Sequence, residues 1–97
     1  MRIVLVRLSA LGDIVHTWPL AAALREASPD SHLTWVVEAP FAPLVDSHPA
    51  VDAVITTATR RWRRSPFSAR TRAEVAALKS RFAELAPNLA IDSQGSL

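Results

Sequence analysis

A carboxylate stands where an apolar run gives way to a helical segment: Leu8-Ser9-Ala10-Leu11-Gly12-Asp13 follows Ile3-Val4-Leu5-Val6. The positive end of a helix dipole favours an ionised side chain at that place. A carboxylate held rigidly in a cleft can accept a proton from a hydroxyl. Asp is also a preferred N-cap, and the local sequence taken alone favours that structural role for Asp13. His16 lies three residues further on and is a candidate second base, although a packed or surface histidine is the commoner case. The loop lacks both G-x-G-x-x-G and G-x-x-x-x-G-K-[ST], so it is not a standard phosphate cradle.

A second group with chemical potential is Arg60-Arg61-Trp62-Arg63-Arg64, which follows a third apolar run. Guanidinium groups bind carboxylates and phosphates with two parallel hydrogen bonds. An indole among them can stack on a sugar or lie in a membrane interface. The plainer alternative is a solvated charged loop. Glu38 and Asp92 each end an apolar run, where either can bond a hydroxylated ligand or cap a helix. Three scattered histidines without paired spacing, and no cysteine, give no metal site, no disulfide and no thiolate nucleophile.

The charge is unevenly distributed. The formal net charge is +2, yet six of the eleven cations (Arg60, Arg61, Arg63, Arg64, Arg70 and Arg72) fall within thirteen residues that contain no acid. The remainder holds five cations against nine anions, a net −4. A mildly acidic body with one basic segment points to a local anionic partner more than to general polyanion binding.

These groups need elements to position them. A chain of 97 residues with 49% hydrophobic content makes one domain and no disordered tail. No apolar run approaches the roughly 18 residues of a membrane span, and no signal peptide is evident, so a soluble intracellular protein is expected. Four apolar runs recur: Ile3–Val6, Leu33–Val37, Val51–Ile55 and Leu89–Ile91. The first two are continuously apolar, as strands buried on both faces of a parallel sheet are. Residues 13–27 place Ile14, Trp18, Ala21, Ala22 and Leu24 near one helical face. Pro19 there implies a kink or a helix start near Thr17. Phe41–Ser47 reads as a short helix or turn. In residues 71–86, Val75, Leu78, Phe82 and Leu85 form an apolar stripe, Thr71 with Glu74 a capping box, and Pro87 a stop.

Strand and helix alternate, which predicts right-handed βαβ crossovers and an α/β fold, a three-layer Rossmann-like parallel sheet of about four strands. With strand order 3-2-1-4, the loops at Gly12 and Gly95 flank the point where the order reverses, the usual place for a ligand. After the last strand, Asp92-Ser93-Gln94-Gly95-Ser96-Leu97 reads as the turn into a further helix, so the chain is expected to be part of something longer.

The opening from Met1 to Thr17, Trp35-Val36-Val37-Glu38, the Arg60–Arg64 block with its central Trp62, and Ile91-Asp92-Ser93-Gln94-Gly95 together resemble the type I lipopolysaccharide heptosyltransferases. The likeness spans the whole chain in order and spacing; the Leu-Gly-Asp opening is shared more widely, and the Arg-Arg-Trp-Arg block favours type I. The resemblance implies a two-domain GT-B glycosyltransferase, with residues 1–97 in its amino-terminal, acceptor-side domain and the nucleotide-sugar domain absent. It implies inverting, metal-independent transfer of L-glycero-D-manno-heptose from ADP-heptose to the Kdo residues on lipid A, without a cofactor. The family likeness makes Asp13 the catalytic base. Ser9, Gly12, Arg60, Arg61, Trp62, Arg63, Arg64, Asp92 and Gly95 become acceptor-binding residues. It implies work in the cytoplasm, peripheral at the inner-membrane surface, where Trp62 among arginines suits a lipid-anchored substrate. The isolated chain is expected to be inactive, since in-line displacement needs both substrates held in one cleft.

Two rival readings arise from the residues. One is a small module that holds nucleic acid through Arg60–Arg72, with Trp62 stacked on a base; the net acidic remainder and the lack of a recognised nucleic-acid module count against it, so no nucleic acid is expected. The other is a flavodoxin-like or receiver-like domain, which the missing acidic cluster and a fifth strand disfavour.

Overall fold

In the computed structural model, which describes residues 1–92, the first two apolar runs become the inner strands of a parallel sheet. Strands β1 (Arg2–Val6), β2 (His32–Glu38), β3 (Ala53–Thr57) and β4 (Leu89–Asp92) are ordered β3-β2-β1-β4, every pair parallel. Val4 stands opposite Thr34 and Ala90, and Val36 opposite Ile55. The order reverses at β1, as the strand-helix alternation predicts.

Because side chains alternate along a strand, each face of the sheet has its own core. On one face Ile3, Leu5, Leu33, Trp35 and Val37 pack with Ile14 and Ala21 of α1 (Leu11–Ala27) and Val45 of α2 (Ala42–Asp46). On the other, Val4, Val36 and Ile55 meet Leu78, Phe82 and Leu85 of α4 (Ala69–Leu85). A six-residue helix, α3 (Thr59–Arg64), precedes α4 and contributes no buried residue. Val75 is half-buried along the same stripe that the sequence assigns to the sheet.

Two local expectations are corrected. Pro19 does not delay α1 to Thr17; the helix starts at Leu11 and runs through the proline. Pro19 removes one intrahelical donor, but Ile14, Thr17 and Ala21 on either side of it are buried against the sheet, and that burial outweighs the lost bond. His48 adds a pin. Its Nε2 lies 3.0 Å from the Trp18 carbonyl, its Nδ1 accepts the Ala50 N–H at 3.0 Å, and its ring sits 4.3 Å from that of Trp18. Those two bonds require the neutral ring with the proton on Nε2. The second correction concerns α4. Its cap is Ser68, whose hydroxyl oxygen accepts the Thr71 N–H at 3.0 Å, and not a Thr71–Glu74 capping box. The Glu74 carboxylate is drawn away to α3. The helix ends at Ala86 in the left-handed region (φ 42°), just before Pro87.

At the edge of the sheet opposite the strand carboxyl ends, Arg25 and Asp52 clamp the connections together. The Arg25 guanidinium donates to the carbonyl oxygens of Pro29, Ser31 and Ala50 (2.9, 2.5 and 3.0 Å) and pairs with Asp52. Asp52 also accepts the Leu33 N–H at 2.8 Å. That backbone bond, reinforced by Arg25 against the opposing effect of burial, holds the Asp52 carboxyl below its ordinary range. Asp52→Ala leaves the Leu33 N–H without its acceptor and should destabilise the fold by about 1–3 kcal/mol, measured by urea unfolding. A side chain 41% exposed keeps the effect toward the lower end. Since the folded-state value is depressed, the contribution is complete above the ordinary value of 3.8 and is lost as pH falls through the lower one. The stability gap between the wild type and Asp52→Asn should therefore narrow in acid.

Candidate functional site

The carboxyl ends of β1, β2 and β3 open onto one cleft of ≈ 520 Å³. Its walls come from three segments: Leu8 and Ser9 after β1, Glu38, Pro40 and Phe41 after β2, and Thr59, Arg60 and Arg63 after β3. Backbone bonds hold the first two walls together, from Arg7 N–H to the Val36 carbonyl (3.2 Å) and from Glu38 N–H to the Leu8 carbonyl (3.0 Å). The buried Trp35 indole adds a bond to the Arg7 carbonyl at 3.1 Å. The third wall is joined to the second by Glu38, whose Oε1 accepts the Thr59 N–H at 3.1 Å and the Thr59 hydroxyl as well. Glu38 thus secures the start of α3 as well as lining the cleft.

The basic block is a helix, which divides it. On a helix, residues three apart share a face. Arg60 and Arg63 both line the cleft. Arg61 and Trp62 turn instead to α4: Arg61 Nη2 and Trp62 Nε1 donate to Glu74 at 3.1 and 2.9 Å. Arg61 Nη1 is 2.9 Å from Glu74 Oε1, an ion pair that is not aligned as a further hydrogen bond. The Trp62 indole, with Arg61 behind it, keeps the Glu74 carboxyl below its ordinary range. Arg64 is exposed. With two guanidinium groups against the single carboxylate of Glu38, the cleft lining is cationic and suited to an anion.

Asp13 lies in the first turn of α1, whose N-cap is Ala10, so its side chain is not the cap that local sequence favours. Its Oδ2 pairs with Arg7 Nη2 at 2.7 Å; the Asp13 side chain is 54% exposed while that of Arg7 is 13% exposed. Arg7 therefore orients the carboxylate without shielding it from a substrate. Asp13 is not among the residues that line the cleft, but its helix follows directly from the Leu8–Ser9 wall. Gly12 sits inside that same first turn, and a Cβ added there would meet nothing within 4 Å. His16 is exposed on α1, and Asp92 is exposed at the end of β4, beside Val6 of β1. Gly95 lies outside the described residues.

Arg7 and Glu74 escape a sequence reading of the site. Arg7 had one signal, a charge breaking an aliphatic strand six residues before the acid. Glu74 had none, because its partners lie twelve and thirteen residues back across a turn.

No protein-family model matches the chain. It is 41% identical over all 97 residues to lipopolysaccharide heptosyltransferase 1 of Pseudomonas aeruginosa. It is 39% identical over 95 residues to the proteins of the same name from Salmonella typhimurium and Escherichia coli. The chain spans 27% of the first of these curated relatives and 30% of the other two. Among solved structures, it superposes on E. coli heptosyltransferase WaaC with ADP-2-deoxy-2-fluoro heptose at a TM-score of 0.85 and 41% identity. That match covers 99% of this chain and 30% of that one. A glycosyl transferase family 9 protein from Veillonella parvula matches 58% of the chain and 16% of its own, at a TM-score of 0.56 and 36% identity. These relatives bear out the resemblance and the α/β sheet read from the residues.

Proposed function

We propose, from a likeness to heptosyltransferase 1 that runs the whole length of the chain, that these residues form the acceptor-side portion of an inverting heptosyltransferase of lipopolysaccharide synthesis. The acceptor is a Kdo–lipid A, and the donor, ADP-heptose, is held by a second domain outside these residues. The observation that carries the reading is the cleft. Arg60 and Arg63 on one helical face present two cations beside Ser9, which suits an acceptor bearing Kdo carboxylates and lipid A phosphates. Asp13 takes the proton from the attacking Kdo hydroxyl as its oxygen bonds to the anomeric carbon and the C1–O bond to the diphosphate breaks. Attack from the opposite side inverts that centre. The diphosphate leaves as an anion, and no metal or cofactor is invoked in the scheme.

The acceptor is anchored in lipid, and the reading places the protein peripherally at the cytoplasmic face of the inner membrane. Phe67, 86% exposed in the turn between α3 and α4, supports this alongside the exposed Arg64 and Arg70. An apolar tip among cations suits an anionic interface. Trp62, with its indole N–H held by Glu74, is less suited to that role or to stacking on a base. No helix among the described residues is long and apolar enough to cross a membrane.

The test is binding of the 97-residue chain to Kdo–lipid A in mixed micelles, against a mixed-sequence oligonucleotide. Salt-sensitive binding to the lipid, with no turnover when ADP-heptose is added to the chain alone, is the expected outcome. Tighter binding to the oligonucleotide would replace this reading with a nucleic-acid module, and turnover would overturn the assignment of the donor to a second domain.

A further inference from the structure

We propose that Glu74 is a positioning residue that fixes the rotation of α3, so that Arg60 and Arg63 face the cleft while Arg61 and Trp62 serve as the anchor. The inference rests on the reading of Arg60 and Arg63 as the anion-holding pair. It starts from what α3 lacks. Six residues are too few to hold a helix by themselves, and α3 has no buried residue and no side-chain cap of its own. Its first turn is tied down by Glu38 through Thr59. That contact locates one end but leaves rotation about the axis open.

Glu74 supplies the second point. Its carboxylate takes the Trp62 indole N–H at 2.9 Å and Arg61 Nη2 at 3.1 Å, from two adjacent residues of α3. Arg70, one turn earlier on α4, lies 3.7 Å from the same carboxylate. The platform is firm: α4 has seventeen residues, is capped by Ser68, and packs on the sheet through Leu78, Phe82 and Leu85. Successive helical residues are about 100° apart, so fixing 61 and 62 toward α4 dictates where 60 and 63 point. Releasing the anchor lets the whole block turn, and the paired guanidinium groups no longer converge.

Charge alone predicts the opposite result. A carboxylate near an anion site repels the anion, so replacing it with a neutral group should tighten binding if Glu74 acted only through its charge. The probe is inorganic pyrophosphate, titrated into the wild-type chain and into Glu74→Gln, Arg60→Ala and Arg63→Ala. Amide exchange of residues 59–64 and the Trp62 indole N–H resonance report α3 directly. Glu74→Gln should weaken pyrophosphate binding about three- to tenfold, move the indole resonance, and speed exchange in α3 while α4 stays protected. Arg60→Ala and Arg63→Ala should weaken binding with α3 exchange unchanged. Unchanged α3 exchange in Glu74→Gln, or pyrophosphate binding that stays equal or tightens there while the arginine variants weaken it, would overturn the positioning role. Unweakened binding in both arginine variants would overturn the anion-site reading instead, and the exchange data would still decide whether Glu74 fixes α3. Should Glu74→Gln unfold, Trp62→Phe removes the donor while keeping an aromatic body, and the same exchange and titration outcomes apply.

Discussion

In an enzyme that carries this chain, Asp13→Ala should lower kcat by about 10²–10⁴-fold, the usual worth of a positioned general base, while the acceptor KM changes little. A carboxylate accepts hydrogen bonds and protons, and alanine offers neither function. The effect should fall on kcat because Asp13 is not among the groups lining the anion-holding cleft. Arg7 reaches Asp13 from the end of the strand that supplies the Leu8–Ser9 wall, so the carboxylate and the cleft are held by the same backbone. Asp13→Asn keeps the shape and the capacity to accept a hydrogen bond from Arg7 but cannot take a proton at neutral pH. It should therefore be nearly as inactive as Asp13→Ala. Initial-rate kinetics with ADP-heptose and a Kdo–lipid A acceptor measure both. Turnover within a few fold of wild type in either variant would remove Asp13 from the chemistry.

The second large effect is expected at Arg60 and Arg63. Hydrogen bonds to charged groups contribute about 1.5–3 kcal/mol each, so each alanine variant should raise the acceptor KM or Kd roughly tenfold or more, with kcat much less affected. Raising the salt concentration should shrink the difference from wild type, because an exposed ion pair is screened. The two substitutions act on one anion and should not be additive. Arg64→Ala, at an exposed position outside the cleft lining, should be closer to wild type. Equal effects at all positions of the block would mean that net charge, and not the face of α3, governs acceptor binding.

The sheet was legible in the sequence because its signal is local. Ile3–Val6 is aliphatic throughout and Leu33–Val37 is apolar but for Thr34, and their strand pairing follows from alternation with helices. The stripe of α4 was legible for the same reason, since Leu78, Phe82 and Leu85 repeat at the helical spacing and meet the sheet. What escaped was set by partners distant in sequence. Pro19 argues locally for a kink or a late start, yet α1 begins at Leu11, with Ile14, Thr17 and Ala21 buried on either side of the proline. Thr71 and Glu74 have the spacing of a capping box, yet a guanidinium and an indole on α3 compete successfully for the Glu74 carboxylate. The Arg25–Asp52 clamp spans 27 residues and leaves no mark on any local pattern.

The candidate site divides in the same way. The residue types were readable: an acid at a helix start, and a run of arginines after a strand. Their grouping was not. As a loop, the run offers all four guanidinium groups to a ligand, but as a helix it offers Arg60 and Arg63 to the cleft and spends Arg61 on its own anchorage. Ser9, which the family likeness already offers as an acceptor-binding residue, lines the cleft because backbone bonds between the segments after β1 and β2 hold its loop there.

The most direct measurement is a backbone amide map of the 97-residue chain titrated with a soluble Kdo-containing bisphosphorylated acceptor analogue. The shifts should concentrate in residues 8–13 and 59–63, with the outer face of α1 unmoved. Shifts confined to the Phe67 turn or to the far ends of the strands, with those two segments unchanged, would contradict an anionic acceptor bound between Ser9 and the Arg60–Arg63 face.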